Sequence, residues 1–317
     1  MIVFVGFLLF LGFGFDVFYI GEGALTFPIG SLAALGIGSV SALTSYYSGD
    51  RAVLLSTGAM AVDRALSSAA SPDDTYKIRQ LDNVVEEMSI AAGLPKPRVY
   101  VIPDSDPNAF ATGRDPEHAS IAVTRGLLDT VTRDELQGVV AHELSHVRNL
   151  DIRLMTVIAA MVGTIALLSD WSGRGMSSGS RSSSNSRDND KDSGAAGLIL
   201  LVVWVVAIVL APLIAQALAM LVSRRREFLA DASSVELTRN PVGLAKALSQ
   251  IRGEARGMLT ANRGSQHLWF ASPLGPGSDS GWHLLATHPT VDARIARLAE
   301  LNPAGVENAV AGTASVG

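Results

Sequence analysis

The chain has no cysteine and few charged residues, and each shortage excludes a class of protein. Without cysteine, the 317 residues can form neither disulfides nor thiolate metal sites. Charged residues make up only 17% of the chain and hydrophobic residues 48%, which is too apolar for an ordinary soluble enzyme. The net charge of −5 at pH 7 argues against a broadly basic nucleic-acid surface, so no nucleic-acid partner is expected. Because the chain has no cysteine, any metal ligands must come from His, Asp and Glu.

The apolar residues are concentrated in four stretches that predict membrane-spanning helices. Mean hydropathy is +0.30, and each stretch is close to the roughly 20 residues that cross a bilayer, although the third is short. The stretches are Met1–Ile20, Ala24–Tyr46, Leu154–Ser169 and Ala195–Val222. The first lacks a basic N-terminal region and is followed at once by the second, which disfavours a cleaved signal peptide. We therefore expect a multi-pass protein of the cell membrane, in contact with the lipid bilayer.

Basic residues beside these spans predict the side of the membrane on which the remaining chain lies. Arg51 follows the second span, and Arg224, Arg225 and Arg226 follow the fourth, whereas the loop after the first span has no Lys or Arg. The positive-inside rule therefore places these ends in the cytoplasm. The Ser- and Asp-rich loop at about 170–194, predicted to be disordered, also contains basic residues and weakens this assignment.

The strongest chemical signal is the segment His142-Glu143-Leu144-Ser145-His146. Residues four apart lie on one helix face, so His142 and His146 can bind one metal ion through their ring nitrogens. Glu143 lies beside the first histidine, where it can take a proton from a metal-bound water. The alternative is a pair of surface histidines with a solvated glutamate, which the apolar neighbours disfavour.

The local context predicts that this segment lies on an amphipathic helix from about Arg133 to Asn149. Thr132 and Glu135 have the spacing of a capping box. An apolar stripe follows at helical spacing. Its members are Leu136, Val139, Val140, Leu144 and Val147.

A hydrolytic metal site needs a third protein ligand and one position for water, and Glu227 is the predicted ligand. Asp231 lies one turn further along the same helix face, where it can accept the free N–H of a ligating histidine. A hairpin of the third and fourth spans would bring Glu227 back beside the two histidines. The alternative is a surface helix whose acidic residues pair with Arg224, Arg225 and Arg226.

The whole pattern predicts an α+β, mainly α, chain with a zincin-like catalytic domain, a small sheet and about four transmembrane helices. Its predicted parts are a membrane hairpin (1–47), a catalytic block (48–151), a second hairpin (152–222), a second catalytic block (223–303) and a loose tail (304–317). Strands are predicted at Arg98–Ile102 and Ala119–Thr124, separated by a turn-rich stretch, Pro103–Pro116. The further predicted helices are Asp74–Ala92, Leu127–Val131, a segment through Glu227 to Thr238, Pro241–Ile251 and a last one from Thr290 to Leu301.

Several motifs together resemble the HtpX-type membrane zinc metalloproteases, which are relatives of the CAAX prenyl proteases. The matching segments occur in the family's order. They are Asn108–Gly113, Ala122–Leu128, His142–His146, Glu227–Ala232, Thr287–Thr290 and Arg294-Ile295. The resemblance implies one Zn²⁺ bound by His142, His146 and Glu227, with Glu143 as general base. It also implies a cytoplasm-facing endopeptidase for membrane-protein quality control, acting on unfolded or membrane polypeptides.

The resemblance also implies substrate contacts by Asn108 and by the strand Ala122, Val123 and Thr124. His288 is a candidate donor to the developing oxyanion, or alternatively a histidine held at a helix start by Pro289. Two other functions stay open, a prenyl-protein processing protease and a non-catalytic membrane scaffold or chaperone with a structural metal site. The scaffold would need a fourth protein ligand, and His118, His267, His283 and His288 are available.

Overall fold

The computed structural model describes five separate ranges of the chain and a few single residues. The ranges are 28–154, 225–254, 257–258, 268–271 and 289–314, and the single residues are Gly6, Leu9, Gly12, Phe13 and Asp16. The predicted spans Met1–Ile20, Leu154–Ser169 and Ala195–Val222 lie outside these residues, apart from six positions, and the predicted disordered loop lies wholly outside them.

The described chain is mainly helical with one small mixed sheet, as the sequence predicts. In chain order the elements are α1 (Ile29–Ser56), β1 (Met60–Ala61), α2 (Val62–Ser67), α3 (Pro72–Ala92), β2 (Arg98–Ile102), β3 (Ala109–Thr112), β4 (Ser120–Thr124), α4 (Arg125–Thr130), α5 (Arg133–Arg148), α6 (residues 225–238), α7 (Pro241–Glu254), α8 (Val291–Ala299) and α9 (Pro303–Ala314). Within these residues, no helix is both long enough and apolar enough to count as a candidate membrane span.

The chain divides into two compact units that interleave in sequence. One unit comprises Met1–Tyr47 and Ala160–Ala217, and the other comprises Ser48–Ala159 and Leu218–Gly317. In the first unit, the buried Asp16 carboxylate accepts hydrogen bonds from the main-chain N–H groups of Gly30 and Ser31 at the start of α1. This carboxylate therefore caps a helix N-terminus, where a negative charge is stabilised.

The sheet of the second unit has the strand order β1-β2-β4-β3. β2 and β4 are parallel, with Tyr100 opposite Ala122, whereas β3 runs antiparallel to β4, with Phe110 opposite Ala122. Every residue of β4 is buried, which fits an interior strand covered on both faces. β3 is an edge strand of this sheet, and α5 packs against it.

α5 is the central helix of the second unit and packs against α3, α7 and β3. Its N-terminus has the predicted capping box, in which the Glu135 carboxylate accepts a hydrogen bond from the Thr132 N–H at 2.7 Å. Gly138 permits a close approach of α5 to α7, because a Cβ there would lie 3.1 Å from the Leu244 main chain. Its carbonyl accepts a 2.8 Å hydrogen bond from the Ser234 hydroxyl of α6. These contacts fix the helices that provide the site residues.

Two predictions about local structure are wrong. The predicted turn-rich stretch Pro103–Pro116 contains β3, whose residues are all buried and pair with β4. The predicted loose tail at 304–317 is largely the helix α9, because Val306 and Ala309 are buried where it packs on α7 and α8. In both cases, tertiary packing determines a structure that the local sequence does not specify.

Candidate metal centre

The two histidines of the motif lie side by side on α5 and are both buried. His142 is 0% exposed and His146 is 4% exposed, and their rings meet edge to face with centroids 4.8 Å apart. The four-residue spacing directs both Nε2 atoms to one point, and these atoms are 3.2 Å apart. A proton or a cation could lie between two ring nitrogens at this separation.

Glu227 reaches the same point from α6. Its Oε2 atom lies 3.5 Å from Nε2 of His142, and its Oε1 atom lies 3.6 Å from Nε2 of His146. Ligand atoms at about 2.0–2.1 Å from a tetrahedral zinc ion stand roughly 3.3–3.5 Å apart, which matches these separations. Glu227 is 1% exposed, so the alternative of a surface helix with solvated acids is excluded. The three side chains could therefore hold one metal ion.

Asp231 lies against the ring of His142, as the spacing on α6 predicts. Its Oδ1 atom is 2.9 Å from Nδ1 of His142, which leaves Nε2 directed at Glu227 and His146. Arg294 of α8 binds the same carboxylate with two hydrogen bonds, of 2.9 Å from Nε and 2.7 Å from Nη2. It also donates to the Phe270 carbonyl at 2.8 Å and is 1% exposed. The contact with Asp231 explains why a guanidinium can be fully buried here.

A second carboxylate, Asp151, lies against the other histidine and was not singled out from the sequence. Its Oδ2 atom is 3.1 Å from Nδ1 of His146, and its Oδ1 atom accepts a hydrogen bond from Arg226. Asp151 is 2% exposed. No periodic signal identifies it, because the helix that carries His146 ends at Arg148 and the chain turns before Asp151.

Glu143 lies on α5 next to His142 and is buried beside the sheet edge. Its carboxylate accepts a hydrogen bond from the main-chain N–H of Ala111 in β3. Burial raises the pKa of Glu143, and the nearby histidines and the Ala111 hydrogen bond only partly offset this effect. A carboxylate with a raised pKa is suited to accept and return a proton near neutral pH.

The charges around the site leave room for a divalent cation. Burial and the Arg294 guanidinium each lower the pKa of His142, but hydrogen bonds to Asp231 and Glu227 outweigh them and raise it to about 9. The four carboxylates are Glu143, Asp151, Glu227 and Asp231, and among the described residues Arg226 and Arg294 are the guanidinium groups that oppose them. The carboxylates outnumber the guanidinium groups, and in the metal-free chain a protonated His142 offsets part of the excess negative charge that a divalent ion would otherwise balance.

The predicted substrate contacts lie on the interior strand of the sheet or beside it. Ala122, Val123 and Thr124 lie in β4, which pairs with β2 and β3, so their main-chain groups cannot receive a substrate strand. The Asn108 amide is buried and occupied, since it donates to the Ala271 carbonyl at 2.9 Å and accepts from the Ala271 N–H at 3.1 Å. The predicted oxyanion donor His288 lies outside the described residues.

β3 therefore replaces β4 as the strand that borders the site. Ala111 contacts Glu143, and one residue away Phe110 forms an isolated antiparallel bridge with Trp269. The Phe270 N–H donates to the Ala109 carbonyl at 2.7 Å, and the Phe270 ring lies 4.9 Å from the His142 ring. Residues 268–271 thus connect the sheet edge to His142.

Comparisons with known proteins identify relatives over most of the chain. Residues 76–302 match the model of peptidase family M48. A "Protease HtpX homolog" of Caldanaerobacter subterraneus subsp. tengcongensis is 43% identical over 257 residues, covering 81% of this chain and 80% of that protein. Another of the same description, from Listeria innocua serovar 6a, is 40% identical and covers 91% of this chain and 94% of its own length.

The comparisons also find a third relative and a solved structure. A "Protease HtpX homolog" of Listeria monocytogenes serotype 4b is 50% identical over 220 residues, covering 68% of this chain and 71% of that protein. The crystal structure of S. mikatae Ste24p is 20% identical with a TM-score of 0.46, and the similarity covers 90% of this chain and 62% of that one. On the family match and the sequence identities, the chain belongs to peptidase family M48 and is a metallopeptidase of the HtpX type.

Proposed function

We propose that the protein is a membrane-embedded, zinc-dependent endopeptidase that cleaves unfolded or membrane polypeptides on the cytoplasmic side of the cell membrane. The observation that carries the proposal is the convergence of His142, His146 and Glu227, each of which offers one ligand atom within 4.8 Å of the other two. The buried Glu143 beside them provides a base for the attacking water. The relatives are described as HtpX protease homologues, which supports the protease activity. A role in membrane-protein quality control is part of this proposal.

In this proposal the metal is held through three protein ligands, Nε2 of both histidines and the Glu227 carboxylate. Three ligands leave a position for water, which distinguishes a hydrolytic zinc site from a structural one with four protein ligands. A bound zinc ion would lower the pKa of a water molecule and polarise the scissile carbonyl. Asp231 fixes the tautomer of His142 so that Nε2 keeps its lone pair for the metal.

Glu143 carries the proton in the proposed reaction. Its carboxylate accepts a proton from the attacking water as the new C–O bond forms, and it delivers this proton to the leaving amine as the C–N bond breaks. Burial raises its pKa, which favours both steps near neutral pH. The Ala111 N–H holds the carboxylate in place on the side of the sheet edge.

The proposed substrate is an extended polypeptide that lies along β3. An edge strand binds an added strand through main-chain hydrogen bonds and therefore accepts many sequences, as a quality-control protease requires. Residues 268–271 already pair with Ala109 and Phe110, so the substrate would bind beyond them or exchange with them. The mode of binding favours unfolded chains over folded ones, because only an extended segment can pair with the edge.

The test of the activity is cleavage of casein by the full chain purified in detergent, with zinc content measured in the same samples. Glu143→Gln should keep one zinc per chain and lose at least about 100-fold in cleavage rate, because proton transfer by a positioned side chain contributes that much. Glu87→Gln is the matched control, since Glu87 is a half-exposed carboxylate paired with Arg133 on the surface. Cleavage retained by Glu143→Gln would refute the role of Glu143.

The test of the membrane side uses the absence of cysteine. Ser67→Cys would place a single thiol at an exposed position of α2. The proposal predicts that a membrane-impermeant maleimide labels this thiol only after cells are permeabilised. Labelling in intact cells would place the site on the outer side of the membrane.

A further inference from the structure

Asp151 contacts both His146 of the candidate metal centre and Arg226, and Asp151 and Arg226 flank the predicted second membrane hairpin in the sequence. It lies three residues before the predicted third span, which begins at Leu154, and it binds Arg226, which lies four residues after the predicted fourth span. The same carboxylate contacts His146 through its other oxygen, with Oδ2 3.1 Å from Nδ1. One side chain thus contacts both a candidate metal ligand and the point where the chain returns in α6.

The two partners of this ion pair differ in their access to water. The Asp151 side chain is 3% exposed, whereas the Arg226 side chain is 39% exposed. A buried carboxylate is costly unless its charge is paired and its oxygens accept hydrogen bonds, and here each oxygen has one donor. Arg226 therefore holds Asp151 in the orientation in which Oδ2 faces the imidazole.

The backbone between His146 and Asp151 is bent in a way that leucine rarely adopts. α5 ends at Arg148 with Asn149 as its C-cap, and Leu150 has a φ of 59°, in the left-handed region. This conformation is unfavourable for a non-glycine residue, so surrounding contacts must maintain it. Residues 151–154 are again helical, and the bend directs the Asp151 side chain back to His146.

We infer that Asp151 and Arg226 are positioning residues that orient His146 as a metal ligand and couple it to α6. The inference rests on the proposed function in one respect, that His146 binds the metal. Asp151 accepts the Nδ1 proton, which fixes the tautomer with a free Nε2 and makes the ring a better ligand. Arg226 neutralises Asp151 and fixes its rotation, so a displacement of α6 would change the affinity for the metal.

The test measures zinc affinity of the full chain in detergent by competition with a chromophoric chelator. Asp151→Asn should weaken binding by roughly 10- to 100-fold, as expected when the carboxylate partner of a ligating histidine is lost. Arg226→Gln should weaken it by a smaller factor, and Arg226→Lys should restore most of the loss because the charge is kept. Arg133→Gln is the matched control and should leave the affinity unchanged, since Arg133 lies on the same helix as His146 but its side chain is 45% exposed and paired with Glu87.

The unfolding midpoint of each metal-free variant separates orientation of the ligand from loss of the fold. The inference predicts that Arg226→Gln and Arg226→Lys unfold at similar temperatures but differ in zinc affinity. If Asp151→Asn and Arg226→Gln both bind zinc within twofold of the wild type, the inference is wrong while the proposed function stands. If the wild-type chain binds no zinc at all, the proposed function itself fails. If Asp151→Asn does not fold, the zinc affinities of Arg226→Gln and Arg226→Lys decide the inference, and equal affinities would overturn it.

Discussion

The two histidines of the site are supported in the same way chemically but in different surroundings. Each Nδ1 atom faces a carboxylate, Asp231 for His142 and Asp151 for His146. Each carboxylate is in turn bound by an arginine, Arg294 and Arg226 respectively. Arg294 is buried, with 1% of its side chain exposed, whereas Arg226 lies at the surface with 39% exposed.

This difference indicates that the pair of Asp231 and Arg294 belongs to the buried core, whereas the pair of Asp151 and Arg226 responds to the solvent. Arg294 also binds the Phe270 carbonyl and lies 4.5 Å over the Phe270 ring, so it connects α8, residues 268–271 and α6. Its charge and that of Asp231 are removed from water. In the low-dielectric interior the attraction between the two charges is strong, and separating them is costly. The interaction of Arg226 with Asp151 is weakened by water and salt on the arginine side.

The largest difference is expected when each arginine is replaced by methionine. Arg294→Met should destabilise the metal-free chain by about 3–5 kcal/mol, because it leaves the Asp231 carboxylate buried without its partner. Arg226→Met should cost less than this, because Arg226 is 39% exposed and water can reach the Asp151 carboxylate from the surface once the guanidinium is gone. The shift of the thermal unfolding midpoint in detergent measures both, and equal shifts would contradict the comparison.

A second difference is expected in the pH dependence of the metal-free chain. The pKa of His142 is raised above its ordinary 6.5 to about 9, so its contribution to stability is complete below pH 6.5 and is lost as the pH rises through 9. The unfolding midpoint of the wild type should therefore fall across this range. Asp231→Asn should remove most of this decrease of the unfolding midpoint with pH. Asp151→Asn should keep the decrease, because Asp151 contacts the ring of His146 and not that of His142. The same slope in all three proteins would disprove the assignment to His142.

The smallest difference is expected in the response to salt. Raising the ionic strength from about 0.05 M to about 0.5 M shortens the Debye length to a few ångströms and screens exposed charges. At the higher ionic strength, the difference in thermal unfolding midpoint between the wild type and Arg226→Gln should become smaller. The corresponding difference between the wild type and Arg294→Met should stay constant. A salt-independent difference for Arg226→Gln would show that its ion pair is as shielded as the buried one.

Local signals in the sequence predicted the parts of the site that depend on one helix. The capping box of Thr132 and Glu135, the four-residue spacing of the histidines and the spacing of Glu227 from Asp231 all specify positions along a helix. The strand Arg98–Ile102 was predicted with its observed bounds, and the predicted helix Asp74–Ala92 corresponds to α3, which ends at the left-handed Gly93. Such features need no knowledge of the tertiary structure.

The parts that were missed depend on contacts between distant segments. Ala109–Thr112 follows a run of turn-forming residues, and only its pairing with β4 makes it a strand. α9 is rich in Ala and Gly and has no strong periodicity, so its packing on α7 and α8 identifies it. The contacts of Arg294 with Asp231 and of Arg226 with Asp151 span 63 and 75 residues, and no local pattern specifies them.

The most direct test of the central claim is X-ray absorption at the zinc edge on the full chain in detergent. Two imidazole nitrogens and one carboxylate from His142, His146 and Glu227 at about 2.0–2.1 Å, with a light atom from solvent as the fourth ligand, are predicted. Glu227→Ala should lose zinc or replace the carboxylate signal by solvent. Three or more imidazoles per zinc would contradict the account, because a further histidine would close the position for water and make the site structural.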